Sequence, residues 1–369
     1  MSEYQWYEFL ALDRPLTATQ MAELRDISSR AEIGPRRFWN EYEWGDLKAK
    51  PSKLMERYFD AFLYFANWGT HELMVRLPKA RVDAKALRPY FGGDAASLRV
   101  HGDHVTFAMR SEEHEDGDDY EGVLEAIAPI RTELLQGDLR AAYLAWLLRT
   151  EAELADTAPE PPVPPGLDQL TSAQQTLCDF LGIDSDLVAA AARGSAVQDD
   201  GAAFRRWVKA LSAKDKDAWL DRAAGEPDLA LGAELLASFR KLHPQRSAGK
   251  PRVVGELRAI ARELAAAREK AAKLRREKAR QAATRARDGA LDTVAKKGNA
   301  AWDELEALVD GRQYAAAVQL AVDLRDLARR DRQTDAFEEQ FRAMKKRQVR
   351  RPTFFAHWSR RQREEAKGG

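Results

Sequence analysis

Hydrophobic and polar positions alternate with a period of two in the front part of the chain, a pattern typical of β-strands. Residues 36–45 (RRFWNEYEWG) place aromatic side chains at alternating positions, and residues 60–68 (DAFLYFANW) are apolar on both faces, as in a central strand. Residues 97–110 have the pattern of a hairpin. Thr17 and Gln20 have the spacing of a capping box at the start of a helix. The pattern predicts an α+β N-terminal domain.

Apolar residues recur at helical spacing in the rest of the chain. Residues 123–154 indicate two helices, and residues 252–297 form a basic stretch without proline that predicts a long helical segment. From Val253 to Leu274 the apolar positions step by four and three, which indicates a coiled-coil seam of about three heptads. Residues 301–330 predict a helix, a turn and a further helix, as in tetratricopeptide repeats. We therefore predict an all-α C-terminal half with a long basic helical hairpin and a tetratricopeptide-like end, and a chain that is predominantly α overall.

Proline content marks one clear boundary along the chain. Residues 158–166 (APEPPVPPG) contain five prolines, which favour extended backbone and predict a semi-rigid spacer. The predicted domains are an α+β domain with trailing helices at 1–155, which includes an acidic loop at 111–122, a proline-rich linker at 156–168, a helical domain at 169–248, and a basic helical hairpin with repeat-like helices at 249–369.

The two signs of charge are sorted along a chain whose formal net charge is zero. Residues 1–170 carry a net charge of −11 and residues 171–369 a net charge of +11, and almost all of the positive excess lies beyond Gly249. Such asymmetry indicates a binding partner or an internal docking surface on the basic part.

Three segments carry a resemblance to known proteins: RYFDAFLYFANWGTHELMVRLP, VPPGLDQLTSAQQTLCDFLGIDSDLVAAAA and YAAAVQLAVDLRDLARR. They resemble an uncharacterised bacterial protein family, over most of the chain. The third segment is also similar to the helical C-terminal part of bacterial SWIM-type zinc-finger proteins. The Cys-x-Cys and Cys-x-His pairs of that finger are absent, so the resemblance implies helical architecture and neither a metal site nor an activity.

Common catalytic and cofactor signatures are absent from the sequence. The single cysteine, Cys178, lies in an apolar helical stripe, where we expect a buried structural thiol, and one cysteine excludes a disulfide framework within the chain and cysteine-based zinc sites. The chain has no glycine-rich phosphate loop, no Gly-x-Ser-x-Gly elbow and no HExxH helix. We expect no cofactor and no common nucleotide or serine hydrolase, although an enzyme assembled from scattered carboxylates stays open.

Two histidines form the weak candidate metal site of this sequence. His101 and His104 flank Gly102-Asp103, so they lie opposite each other if the segment forms a hairpin. Nearby His114 and the acidic residues around it could complete a site. The alternative needs no metal, because polar residues also flank exposed turns.

Asp46 and Lys48 match part of a pattern used by metal-dependent nucleases, in which a carboxylate binds Mg²⁺ beside a lysine that activates water. Asp26 or Glu32 could supply a second carboxylate. The alternative is a surface loop before the helix predicted at 51–59.

Aromatic residues beside two arginines give the strand at 36–45 a second interpretation. Phe38, Tyr42 and Trp44 next to Arg36 and Arg37 could stack nucleic-acid bases and contact phosphates. The same pattern is typical of a sheet buried under helices, and the net acidic charge of this domain favours core packing.

The basic stretch and the region near residue 350 carry the candidate partner-binding side chains. They are Lys273, Arg275, Arg276, Lys278, Arg280, Arg285, Arg287, Lys345, Lys346, Arg347, Arg350 and Arg351. Such residues could follow a phosphate backbone, or they could dock on an acidic protein or on the acidic front domain of this chain. A solvated charged helix without a partner is the third interpretation.

The function that the sequence favours is a non-enzymatic interaction or scaffold component of a bacterial cytosolic multiprotein system, with a protein partner bound by the basic C-terminal half. A nucleic-acid-binding component that uses residues 252–297 is one alternative, and a metal-dependent nuclease or hydrolase is another. The first residues lack a basic and apolar leader, and no run of 18 uncharged apolar residues occurs, so we expect no export signal and no membrane partner.

Overall fold

The computed structural model describes residues 3–112, 122–195, 201–225, 231–243 and 251–367. Within these ranges the strands are β1 (Gln5–Leu10), β2 (Glu32–Ile33), β3 (Arg37–Tyr42), β4 (Ala61–Ala66), β5 (His71–Pro78), β6 (Ala96–His101) and β7 (His104–Ser111). The α-helices are α1 (Ala18–Ile27), α2 (Pro51–Arg57), α3 (Ala84–Leu87), α4 (Val123–Ile127), α5 (Pro129–Leu135), α6 (Arg140–Ala152), α7 (Ser172–Leu181), α8 (Ser185–Ala192), α9 (Gly201–Ala210), α10 (Ala213–Gly225), α11 (Leu231–Leu242), α12 (Val254–Lys297), α13 (Asn299–Asp310), α14 (Tyr314–Arg330), α15 (Thr334–Arg347) and α16 (Pro352–Lys367). The predicted α+β front part followed by an all-α part, with helix predominant overall, is confirmed.

The strands of the described residues form a single antiparallel sheet in the order β2-β3-β1-β4-β5-β7-β6. Because side chains alternate across a strand, Trp6, Leu63 and Leu73 face one side and pack in a core with α4 to α8. Phe9 and Phe62 face the other side and pack with α1 and α2. Both faces of the central strands are therefore buried, as the apolar pattern of residues 60–68 predicts.

The capping box predicted at Thr17 and Gln20 is confirmed. The Thr17 hydroxyl accepts a hydrogen bond from the Gln20 amide at 3.2 Å, and the Gln20 side chain accepts one from the Thr17 amide at 2.9 Å. Thr171 and Gln174 form the same arrangement at the start of α7. Each box satisfies amides that the first turn of a helix leaves without partners.

The chain divides into two compact units, Met1–Ala267 (unit 1) and Arg268–Gly369 (unit 2). This division differs from the boundary predicted at residues 156–168, because the proline-rich segment packs within unit 1. Pro159 bridges to Val253 as in a sheet, and the Pro162 carbonyl accepts a hydrogen bond from the Tyr90 hydroxyl at 2.6 Å. The central part of the predicted acidic loop, residues 113–121, lies outside the described residues.

Helix α12 continues through the division between the two units. Its first turns are buried in the core of unit 1 through Val254, Leu257 and Ala261. The predicted coiled-coil seam is buried only in this first part, since Leu274 is 52% exposed. In unit 2, Leu291 and Val294 near the end of α12 are again buried.

The core of unit 2 joins α13 to α16 with the end of α12. Two of its turns have the same geometry: the Gln313 amide donates to the Leu308 carbonyl, and the Gln333 amide donates to the Ala328 carbonyl. Arg312 and Arg332 precede these glutamines and adopt φ angles of 56° and 57°. This left-handed conformation is unfavourable for a residue with a Cβ atom, whereas glycine adopts it without strain.

Replacing Arg312 and Arg332 together by glycine should raise the free energy of unfolding of unit 2, by about 0.5–1 kcal/mol per site, because glycine removes the left-handed strain. Calorimetric unfolding of the full chain measures the change. The matched control is Arg329→Gly, which lies inside α14 and should instead cost about 1 kcal/mol. Equal destabilisation by the turn and helix substitutions would contradict the prediction.

Candidate interaction surfaces

The exposed middle of α12 is a strongly cationic surface. We call residues 268–286 the basic segment, which contains eight Lys and Arg residues and only two acidic residues, Glu269 and Glu277. All of its cationic side chains are exposed. Alanines fill most of the remaining positions, so helix propensity maintains the helix here without help from a core.

Most cations of the basic segment have no ion-pair partner. Lys273 Nζ lies 2.7 Å from Glu269 Oε1, and Arg268 also has an interaction. Among the described residues, no carboxylate lies within ion-pair distance of the six further cations, which are Lys270, Arg275, Arg276, Lys278, Arg280 and Arg285. Like charges three and four residues apart, such as Arg276 and Arg280, oppose helix formation by about 0.2–0.5 kcal/mol per pair. The segment therefore carries charge that lowers the stability of its own helix.

Two arginines of unit 1 hold parts of its fold together. Arg252 donates to Glu160 Oε1 at 2.7 Å and to the Ala190 carbonyl at 3.0 Å at the end of α8. Arg140 donates to Asp138 Oδ2 at 2.7 Å and to the Gln169 carbonyl at 2.6 Å. Both guanidinium groups satisfy backbone carbonyls as well as carboxylates, Arg252 near the end of α8 and Arg140 at Gln169.

Six of the eight cations of the basic segment occupy two opposite sides of the helix. At about 100° per residue, Lys273, Arg276 and Arg280 fall on one side, and Arg275, Lys278 and Arg285 fall roughly 180° away. The segment can therefore contact anionic groups on two sides at once.

Three of the predicted binding residues instead connect helices of unit 2. Arg287 contacts Asp323 at 2.5 Å and Asp326 at 2.6 Å on α14. These carboxylates raise the pKa of Arg287 although partial burial lowers it. Arg347 pairs with Glu306 on α13, and Arg351 donates to the Asp310 carbonyl at 3.4 Å. Their charges serve helix packing, whereas Lys345, Lys346 and Arg350 are exposed.

A groove in unit 2 lies between α15 and the start of α16 and encloses about 790 Å³. Its lining residues are Glu339, Arg342, Ala343, Lys345, Lys346, Val349, Pro352 and Phe355. Val349 is 73% exposed, and the Lys345 ammonium lies 5.6 Å from the centre of the Phe355 ring. Only Lys345 and Lys346 of this groove were among the residues predicted from the sequence.

The predicted hairpin brings the two histidines together, as His101 pairs with His104 across the turn. His101 Nε2 lies 4.0 Å from Glu56 Oε2. Burial lowers the pKa of His104, and the positive charge of Arg76 lowers it further. Among the described residues, no three His, Cys, Asp or Glu side chains form a group that could hold a metal ion. His114 lies outside the described residues.

The Asp46 and Lys48 pair gains no support as a nuclease site. The Asp46 carboxylate accepts a hydrogen bond from the Gln5 amide group at 2.8 Å, and Lys48 is exposed. Neither Asp26 nor Glu32 forms a metal-binding group with Asp46 in the part of the chain that is described.

The aromatic residues of β3 serve mainly in the core. Phe38 is fully buried, with ring centres 5.6 Å from Phe9, and Tyr42 packs edge-on against Tyr7 at 5.8 Å. Trp44, beyond the end of β3, is 84% exposed. Phe38 is therefore unavailable for base stacking, and Tyr42 is partly buried.

Cys178 is buried in the core of unit 1, as predicted. Burial, with a smaller contribution from the negative charge of Asp179, raises the pKa of its thiol to about 12. The thiol is therefore protonated at neutral pH, which agrees with a structural role and not with that of a nucleophile.

Comparison of the chain with family models, with curated proteins and with solved structures finds no match. The resemblances noted from the sequence therefore stay predictions. No helix among the described residues is long and apolar enough to cross a membrane.

Proposed function

We propose that this chain is a non-enzymatic interaction component of a bacterial cytosolic multiprotein system, which binds an anionic protein partner through the basic segment of α12. The observation that supports the proposal is the set of exposed cations without ion-pair partners between Arg275 and Arg285. Their mutual repulsion opposes the helix, and a polyanionic partner would relieve it. The arginines that stabilise unit 1 differ from them in having buried carboxylates and carbonyls as partners.

Nucleic acid is the second candidate partner, and the two opposite rows of cations favour it. A flat acidic protein surface contacts one side of a helix, whereas a nucleic-acid groove has phosphates on both walls. The rows formed by Lys273, Arg276 and Arg280 and by Arg275, Lys278 and Arg285 suit the second geometry. The two candidates share the basic segment and differ in how their binding responds to salt.

The test uses the full chain with Arg275, Arg276, Lys278 and Arg280 replaced by glutamine, which keeps helix propensity almost unchanged. Binding of fluorescent duplex DNA and of polyglutamate is measured by anisotropy over a salt series. We expect polyglutamate to bind the unmodified chain and to lose at least about tenfold in affinity with the variant, whereas binding of DNA alone would favour the second candidate. For DNA, the slope of log affinity against log salt should flatten by about three to four units.

A matched control replaces Arg14, Arg30, Lys85 and Arg88, which are exposed residues of unit 1, by glutamine and makes the same change in net charge. This control should bind like the unmodified chain. Equal losses in the two variants would mean that net charge, not the basic segment, governs binding. If neither probe binds at low salt, the proposal is wrong.

A further inference from the structure

The α15/α16 groove combines an apolar floor with a cationic rim. Ala343, Val349, Pro352 and Phe355 supply the apolar surface, and Arg342, Lys345 and Lys346 supply three cations beside one carboxylate, Glu339. Val349 is 73% exposed, and contact with an apolar group of a partner would remove this surface from water, which is favourable. The groove therefore offers both an apolar contact and a positive field in one place.

We propose that the α15/α16 groove binds an acidic segment of a protein partner that carries one large apolar side chain among its carboxylates. The apolar side chain would contact Val349 and Phe355, and the flanking carboxylates would face Lys345, Lys346 and Arg342. This inference goes beyond the proposed function because it concerns a different surface and does not depend on the basic segment.

Charge complementarity selects a carboxylate-bearing peptide for this groove. Arg342 has only a loose, exposed ion pair with Glu338 at 3.6 Å, and no carboxylate among the described residues pairs with Lys346. The groove also includes Pro352, where the 16-residue helix α16 begins. The first amides of a helix lack intrahelical partners and carry partial positive charge, which adds to the attraction for carboxylates.

The apolar floor distinguishes a peptide from a nucleic acid. Phosphates gain little from contact with Val349 and Pro352, whereas an apolar side chain among carboxylates removes that surface from water. The groove follows α15 from Glu339 to Lys346, a rise of about 10 Å, which matches about three residues of an extended peptide. A short acidic segment with one central apolar side chain therefore fits its length and its chemistry.

The test measures binding of a fluorescein-labelled acidic peptide, made of Glu and Asp with one central Trp-Leu pair, to the full chain. We expect Lys346→Glu and Val349→Glu each to weaken binding at least about tenfold. Both side chains are exposed, so the substitutions should not unfold unit 2. A peptide with Ser in place of Trp and Leu should bind at least about tenfold more weakly than the original.

Two controls separate this proposal from the proposed function. Lys296→Glu makes the same charge reversal at an exposed position of α12 and should leave peptide binding unchanged. The four-glutamine variant of the basic segment leaves the groove intact, so the preference for the Trp-Leu peptide over the Ser peptide should persist in it, and failure of one proposal does not imply failure of the other. Equal binding of the Ser peptide, equal binding by the Val349→Glu variant, or full competition by single-stranded DNA would overturn the inference.

Discussion

Replacing Asp60 by alanine should lower the free energy of unfolding of unit 1 by about 3–5 kcal/mol, because it leaves a buried cation without its partner. The Asp60 side chain is 3% exposed and lies 2.8 Å from Arg76 Nη2. It also accepts hydrogen bonds from the backbone amides of Leu12 at 2.8 Å and Asp13 at 2.9 Å. The substitution removes all of these interactions at once. Hydrogen exchange of β1 and β4 at increasing urea concentration measures the change.

The effect of Asp60 should depend on pH in a defined direction. Burial raises the pKa of this carboxyl, but the Asp13 amide and Arg76 outweigh burial and hold the pKa below its ordinary value. The stabilisation is therefore complete above the unfolded-state pKa of about 3.9 and is lost as the pH falls below it. Asp60→Ala should remove this part of the acid sensitivity.

The matched control for Asp60 is Asp26→Ala, at an exposed position of α1, which should change the free energy of unfolding by less than about 0.5 kcal/mol. Similar losses in the two variants would contradict the structural role of Asp60.

Replacing Arg252 by methionine should also destabilise unit 1 by about 3–5 kcal/mol, because the buried carboxylate of Glu160 loses its cationic partner. The Glu160 side chain is only 2% exposed, and Arg252 donates to both of its oxygens, at 2.7 and 2.8 Å. The same guanidinium group satisfies the carbonyls of Ala190 and Ala191 at the end of α8. Hydrogen exchange of α7 and α8 at increasing urea concentration reports the loss.

A double-mutant cycle makes the Arg252 prediction specific. Glu160→Gln together with Arg252→Met should lower the free energy of unfolding by about 1–3 kcal/mol less than the sum of the two single changes. The reason is that the double variant has no buried carboxylate without a partner. Arg262→Met, at an exposed position on α12, is the matched control and should have little effect. Additive losses across the cycle would show that Arg252 and Glu160 do not act as a pair.

The elements that the sequence predicts correctly are those whose signal is local. Thr17 and Gln20 are three residues apart, and His101 and His104 flank one turn, so short-range spacing is sufficient. Helix α12 is also predicted to within a few residues, because a proline-free stretch rich in alanine, lysine and arginine favours helix along its whole length.

The packing of the proline-rich segment could not be predicted in this way. Its partners are distant in the chain: Tyr90 precedes Pro162 by 72 residues, and Arg252 follows Glu160 by 92. The composition of this segment is that of a linker. Val163 and Leu167 are nevertheless buried, because residues distant in the sequence pack against them.

The candidate binding surfaces also depend on contacts between distant residues, which the sequence does not predict. Arg285 and Arg287 look alike in the sequence, yet only Arg287 has carboxylates beside it, supplied by Asp323 and Asp326 of another helix. The groove was missed for a similar reason, since Lys346, Val349 and Phe355 become neighbours only when α15 and α16 meet. The sequence indicated where charge is concentrated, and the fold decides which of those charges are free.

The basic segment has a consequence for how this part of the chain can change during evolution. Substitutions in a packed helix must preserve shape, but residues 268–286 contact little besides solvent, so most exchanges among helix-forming residues leave the fold intact. Individual arginines and lysines can move to neighbouring positions or exchange places while the overall charge is kept. Selection would then act on the total charge of the segment and on its helical length, and related chains could differ widely here in sequence while keeping the same surface.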